Sequence, residues 1–334
     1  MRRAPWLVVP IVLLHVAIAH AQEPRAEQFY YPGAFNWQVL ARYPGAARLF
    51  NAFDYGHAVL YETLLTRRDS ARSVALEREY QYLTTDLLVH PPRFAVAEEA
   101  VEPAYARIAW RAKQMFDWAH LLHRQVYDVY ADPSLTDDAR DALIERLTDY
   151  YLSRPGYAFT AVPKAMALME GQSFSLTFRR TEPKFNGLIW AYHWLQVALY
   201  EPFIAYRTEA ERAEGVRRAV AHFWSLLDQA PDRLPTQMPM TATVAPRFAA
   251  RHPRTAVIFD NLHMMHDIIS DILASGDIPP DQKGSAIEAQ LAGFRDGTRD
   301  TMSLEEWRSM GEMMGGVMPM GGPALAPATQ PQAR

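Results

Sequence analysis

Histidine and aspartate recur in this chain at a spacing that would place them on one face of a helix. The pattern Phe-Asp-x-x-His occupies residues 53–57, 116–120 and 259–263, and residues 189–193 keep its histidine but lack its aspartate. Successive histidines of this set lie 63, 73 and 70 residues apart. Because residues three and four apart are neighbours on an α-helix, each Asp and His would point in one direction. The recurrence at similar intervals indicates an internal repeat of four helical units.

The repeat supplies nine candidate metal ligands. Extending each unit by one helical turn adds a second histidine in two of the four helices, and Leu60 and Gln196 stand at that place in the others. The predicted ligand set is His57, His120, His123, His193, His263, His266, Asp54, Asp117 and Asp260.

Imidazole and carboxylate ligands without any thiolate suit a transition metal. Iron is our first expectation, with copper, zinc or manganese as alternatives, and the set exceeds what one ion needs, which allows a dinuclear site. Burying several such groups without a cation would cost several kcal/mol each in lost hydration. The aspartates could bind the ion or instead orient the histidines by accepting their second ring proton. Both roles remain open at this stage.

Other interpretations of the repeat compete with a metal centre. An isolated buried Asp-His pair is most often a structural hydrogen bond, so a duplicated packing device is one alternative. Two facing histidines could also ligate haem, although haem leaves the aspartates unexplained. The sequence therefore predicts a metalloprotein whose activity would be that of an oxidoreductase. The alternatives are a metal- or haem-binding carrier and a non-catalytic packing protein, and the substrate is unknown.

Composition restricts the compartment and the partners. Residues 1–21 combine Arg2 and Arg3 with an apolar stretch and end in Ala19-His20-Ala21, which is typical of a cleaved secretory signal peptide. We therefore expect a periplasmic or secreted protein with no membrane span after cleavage. The net charge is −4 without a basic cluster, which argues against a nucleic-acid partner. The chain has no cysteine, which excludes disulfides and thiolate ligands.

Hydrophobic periodicity predicts an all-α fold in which four inner, histidine-bearing helices are each followed by a more polar outer helix. The expected inner helices cover about 46–67, 98–131, 185–200 and 253–275 by apolar period and Pro/Gly punctuation. We predict a single domain over 22–300. The Met/Gly/Pro-rich segment 301–334 is expected to be a disordered tail with one short helix. Four acidic residues beyond the histidines are expected to face solvent: Glu62, Glu201, Asp267 and Asp271.

Overall fold

A computed structural model describes residues 37–325, and the predicted signal peptide lies outside them. The described chain is helical, and its only β-type pairing is an isolated bridge between Lys164 and Thr301. The predicted all-α class is therefore confirmed. Within 37–325, the longest helices lack the continuous apolar stretch that crossing a membrane would require.

Eight main helices alternate between the inside and the outside of the bundle. They are α1 (Pro44–Thr66), α2 (Asp69–Tyr82), α3 (Trp110–Ala131), α4 (Asp137–Leu152), α5 (Pro183–Ala198), α6 (Glu209–Asp228), α7 (Pro253–Ala274) and α8 (Lys283–Arg295), and α9 (Leu304–Met313) follows them. The inner helices are α1, α3, α5 and α7. Every residue of 185–198 and of 255–274 is buried. In contrast, α2 buries only Ala75, Leu76 and Tyr80. The predicted alternation of inner and outer helices is thus present.

Three pairs of inner helices run antiparallel, as ring contacts and a hydrogen bond at their two ends show. Between α1 and α3, Tyr61 lies 6.4 Å from Phe116 while Phe50 lies 5.7 Å from Tyr127. Between α3 and α7, Phe116 contacts the ring of His266 and His123 contacts that of Phe259. Trp190 of α5 donates to Asp267 of α7, whereas Tyr200, just beyond α5, approaches Phe259. The inner helices therefore alternate up and down around a shared core.

Each inner helix begins after a short helix and a backbone break. The short helices are Gln38–Arg42, Pro103–Ile108, Thr177–Thr181 and Pro246–Arg251. The residue at each break lies outside the helical region, with φ near −130° and ψ between 39° and 63°, at Tyr43, Ala109, Glu182 and His252. Proline follows three of these residues and disfavours helical geometry before it. The helix predicted to run continuously over 98–131 is therefore wrong. Instead, the chain breaks at Glu102 and Ala109.

Four carboxylates attach the short helices to the bundle. Each is the nineteenth residue counted from the start of an inner helix, and each accepts hydrogen bonds from backbone N–H groups at a short helix. Glu62 and Asp128 bind the short helices before α3 and α1 respectively, whereas Glu201 and Asp271 bind those before α7 and α5. A carboxylate at a helix N-terminus satisfies donors that have no partner within the helix.

Four acidic residues were predicted to face solvent. The prediction is wrong for Glu62, Glu201 and Asp271, because each of them caps a short helix. It is wrong for Asp267 too, because this buried residue accepts a hydrogen bond from Trp190 at 3.0 Å.

Threonine side chains cap the starts of two outer helices. Thr136 accepts from the Ala139 N–H at the start of α4, and Thr208 with Glu211 forms a capping box at the start of α6. A π-helical turn, Leu83–Leu87, extends α2, and Tyr200–Ala205 continues α5 past the predicted interruption at Pro202. The remaining short elements are Glu98–Ala100, Ala167–Glu170, Thr241–Val244, Pro280–Gln282 and Met318–Met320.

The C-terminal segment packs onto the bundle as far as the structure describes it. Trp307 of α9 is buried, and its indole N–H donates to Asp260 at 2.8 Å. Met320 is fully buried, and the Gly322 carbonyl accepts from the Trp194 indole at 2.7 Å. The prediction of disorder from residue 301 is therefore wrong over 301–325, because aromatic and methionine side chains give this segment apolar surface to bury. Its short helix was predicted at 304–313 and is present there.

Candidate metal centre

The helix starts define a common register for the site residues. Counted from the first residue of each inner helix, Asp54, His120, His193 and His263 are all eleventh. His57, His123, Gln196 and His266 are all fourteenth. In α1 the Phe-Asp-x-x-His pattern therefore lies one turn later than in α3 and α7. As a result, the structural counterpart of His120 is Asp54 rather than His57. The two sets of residues lie one helical turn apart on the same side of each inner helix.

Three histidines from three helices converge on one point. The Nε2 atoms of His57 and His193 are 3.1 Å apart, and the Nδ1 atom of His266 is 3.2 Å from His193 Nε2. All three side chains are buried, and these nitrogens lie within 4.8 Å of one another. Two nitrogens bound to one ion at about 2.0–2.1 Å would be roughly 2.9–3.4 Å apart for bond angles between 90° and 110°. The observed separations match that range.

Protons on neutral rings cannot give each of these contacts its own hydrogen bond. His57 Nδ1 contacts the Phe53 carbonyl oxygen at 2.9 Å, so it must carry the hydrogen and leave Nε2 bare in the neutral ring. If His193 Nε2 is protonated, one hydrogen faces two acceptors. If it is not protonated, its lone pair faces that of His57. In addition, His193 Nδ1 and His266 Nε2 have no hydrogen-bond partner among residues 37–325. A cation at the point of convergence removes the conflict.

Burial keeps the histidines in the form that binds metals. Loss of hydration lowers the pKa of His57 from 6.5 to about 4. The same cause lowers the pKa of His193 and of His266 well below 6.5. His120, His123 and His263 are shifted in the same direction, again chiefly by burial. All six rings are therefore neutral at pH 7, and neutral imidazole is the metal-binding form.

A second group borders the first and contains an acidic residue from outside the repeat. Asp54, Glu98 and His120 each offer a ligand atom, and these atoms lie within 4.8 Å of one another. Asp54 Oδ1 is 3.3 Å from His120 Nδ1, and Arg124 pairs with the other oxygen of Asp54. Burial and the nearby carboxylates of Asp117 and Asp54 raise the pKa of Glu98 well above its usual value. Glu98 was not predicted, because it comes from the 3₁₀ turn Glu98–Ala100 and not from an inner helix.

The remaining eleventh and fourteenth residues of the inner helices are His263, His123 and Gln196. His263 stacks on His193 with ring centroids 4.1 Å apart, and neither of its ring nitrogens has a hydrogen-bond partner within the described chain. His123 Nδ1 lies 2.7 Å from the Tyr200 hydroxyl, and its Nε2 is unpartnered among the described residues. Both polar atoms of the Gln196 side chain are likewise buried without a partner in 37–325. Unsatisfied buried polar atoms are uncommon, and they are concentrated here.

Two of the predicted aspartates are placed elsewhere. Asp117 is partly exposed and binds the Lys113 ammonium at 2.5 Å. Asp260 is buried, but its oxygens accept from the Thr241 N–H, the Thr241 hydroxyl and the Trp307 indole. Both residues are eighth in their helices, whereas Asp54 is eleventh, and this difference places them one turn nearer the helix start, away from the centre. The structure thus brings together Asp54 and all six predicted histidines, but neither Asp117 nor Asp260.

The two halves of the core are related by an approximate two-fold arrangement. The carboxylate contacts are reciprocal: α1 and α3 hold each other's preceding short helices, as do α5 and α7. Ring contacts in one half have counterparts in the other. The ring centroids of Phe116 and His266 are 4.2 Å apart, and those of the corresponding pair Phe259 and His123 are 3.4 Å apart. Likewise, the rings of Tyr61 and Phe116 are 6.4 Å apart, and those of Tyr200 and Phe259 are 5.8 Å apart. In this relation Asp54 corresponds to His193, so the two halves have different ligand chemistry.

Comparisons with protein-family models, curated proteins and solved structures return no match for this chain. No relative therefore supplies a function, and the residues of the site alone must support one.

Proposed function

We propose that this protein binds a transition metal ion in its bundle core through His57, His193 and His266, and that it acts as an oxidoreductase. The observation that carries the proposal is the convergence of three neutral ring nitrogens, with separations of 3.1 and 3.2 Å that cannot both be separate two-centre hydrogen bonds. Imidazole ligands suit iron, copper and zinc. Iron remains our first expectation because redox chemistry in helical bundles commonly uses it.

The depth of the site supports redox chemistry over transport. The three ligands are 0–3% exposed and lie midway along helices of 16 to 23 residues. An ion held there would exchange slowly, which suits a resident cofactor better than cargo. Aromatic side chains of the inner helices, including Phe116 and Tyr61, contact the ligand His266. Electrons or a small oxidant could reach such a centre, whereas a large substrate could not.

The competing interpretations fit the geometry less well. Two axial haem ligands at about 2.0 Å from iron would place their nitrogens roughly 4 Å apart with a porphyrin plane between them. The His57 and His193 nitrogens are closer than that, and His57 stacks against His266 at 4.3 Å. A purely structural role for the repeat would leave several buried nitrogens unsatisfied, at about 1–3 kcal/mol each.

Elemental analysis of the purified chain tests the proposal, together with its absorption spectrum after reconstitution with Fe²⁺, Cu²⁺ or Zn²⁺. We expect a bound transition metal in the wild-type chain and a loss of at least half of it in His266→Leu. His90→Leu is the matched control because His90 is exposed and belongs to neither ligand group. A wild-type chain that takes up none of these ions would refute the metal centre. Equal metal content in both variants would show that His266 is not a ligand and that the ion binds elsewhere.

A further inference from the structure

The group of Asp54, Glu98 and His120 has the features of a separate ligand position. Its side chains come from α1, the 3₁₀ turn Glu98–Ala100 and α3, and all three are buried. The ring of His120 lies 5.5 Å from that of His266 and 6.5 Å from that of His57. The group therefore adjoins the tri-histidine position but shares no residue with it.

Unpartnered atoms point into this group. His120 is 2% exposed, and neither of its ring nitrogens makes a hydrogen bond within residues 37–325. Asp54 Oδ1 faces His120 Nδ1 at 3.3 Å, but the two atoms are not aligned as a hydrogen bond. Arg124 occupies only the second oxygen of Asp54. One carboxylate oxygen and an imidazole are thus left available to a ligand that accepts electron pairs.

The nearby protein cations neutralise this group only in part. Lys113 binds Asp117 at 2.5 Å and Glu99 at 3.1 Å, and Arg124 binds Asp54. Among the described residues, no Lys, Arg or His forms an ion pair with Glu98. Burying a carboxylate without a counter-charge is costly, and either a proton or a bound cation can compensate it.

We propose that Asp54, Glu98 and His120 form a second, carboxylate-rich cation position beside the three-histidine position, so that the centre holds two unlike divalent ions. This inference rests on the proposed function for its neighbour, although its ligands are independent. Two carboxylates with one imidazole favour a harder ion such as Mn²⁺ or Fe²⁺, whereas three imidazoles favour Zn²⁺, Cu²⁺ or iron. The asymmetry has a structural origin, because Asp54 stands where the other half of the core has His193.

Sequential titration of the chelator-treated full chain tests the inference. The probes are Zn²⁺, added first to fill the three-histidine position, and then Mn²⁺, whose free ion is quantified by electron paramagnetic resonance. We expect one Zn²⁺ and one Mn²⁺ bound per chain. Glu98→Gln should weaken Mn²⁺ binding at least tenfold and leave Zn²⁺ binding unchanged, because it keeps the side-chain shape and removes one anionic ligand.

Glu102→Gln is the matched control, since Glu102 is also a buried carboxylate but lies outside the ligand group. Equal Mn²⁺ affinity in Glu98→Gln, Glu102→Gln and wild type would overturn the second position, as would Zn²⁺ binding without any Mn²⁺ binding. Loss of Zn²⁺ binding in the wild type with retained, Glu98-dependent Mn²⁺ binding would instead refute the tri-histidine proposal alone. Circular dichroism of each variant establishes that the helices are intact.

Discussion

Replacing His193 by leucine should have opposite consequences in the presence and absence of metal. His193 Nε2 is the nitrogen that both His57 and His266 approach, at 3.1 and 3.2 Å. Leucine approximates the ring volume but provides no ligand, so only two of the three ligands remain. If the cluster exists to bind an ion, the variant should lose stabilisation by metal. If the cluster is a packing device, metal should change the stability of neither the wild type nor the variant.

The sizes of the two effects can be estimated. In metal-free protein the substitution removes the unpartnered His193 Nδ1, a gain of about 1–3 kcal/mol, but deprives two neighbouring nitrogens of a polar contact. These terms oppose each other, so we expect the metal-free stabilities to agree within about 2 kcal/mol. An ion at 1,000 times its Kd stabilises the wild-type chain by about 4 kcal/mol. At about 2–4 °C per kcal/mol, its Tm should rise by roughly 10 °C.

Thermal unfolding followed by circular dichroism, with chelator and with added Zn²⁺, measures both effects. The variant should gain less than about 1 kcal/mol from the ion, since two imidazoles seldom hold a structural ion. His90→Leu should respond to Zn²⁺ as the wild type does. The reasoning fails if the wild-type Tm is indifferent to chelator and Zn²⁺. It also fails if His193→Leu is destabilised by the same amount in both conditions.

Three further outcomes follow from individual contacts. Asp260→Ala should destabilise the chain by about 2–4 kcal/mol and accelerate tryptic cleavage near Trp307, because the Asp260 oxygens accept hydrogen bonds from Thr241 and Trp307. Its metal content should be unchanged, and a loss of metal would identify Asp260 as a ligand. Gly56→Ala should cost about 1–3 kcal/mol in urea unfolding, because the new methyl would lie 2.8 Å from the Tyr192 ring, and an unchanged midpoint would contradict this packing. In chelated protein, unfolded histidine binds protons below pH 6.5 but folded His57 only near pH 4, so the contribution of His57 to stability is full above pH 6.5 and should fall by about 3 kcal/mol toward pH 4. A His57→Leu variant should show a correspondingly smaller loss in urea titrations, and an equal loss would contradict the assignment.

The sequence alone was sufficient for the class of the fold and for the histidines. Apolar residues at helical spacing, together with caps such as Thr136 and Thr208, specify local structure, so the positions of most main helices could be predicted. The recurrence of histidine at helix centres indicated a shared interior. These are local or periodic signals, and they do not depend on which helices meet.

Only the tertiary structure decided which acidic residues join the histidines. Asp54, Asp117 and Asp260 occupy the same place in the sequence pattern, but α1 begins one turn earlier relative to that pattern than α3 and α7 do. Asp54 therefore faces the core, while Asp117 reaches Lys113 and Asp260 holds Trp307. One helical turn is enough to exchange a ligand for a structural carboxylate, and the pattern by itself contains no information about where the backbone breaks.

Glu98 belongs to the ligand group although the sequence pattern did not predict it. Its position before Pro103 resembles an ordinary helix start, and only the packing of the Glu98–Ala100 turn against α1 and α3 brings its carboxylate to Asp54 and His120. Side chains from segments distant in sequence meet through long-range packing. The local pattern therefore determined that this chain concentrates imidazoles in a helical core, and the helix register and loop packing decided which carboxylates complete the candidate centre.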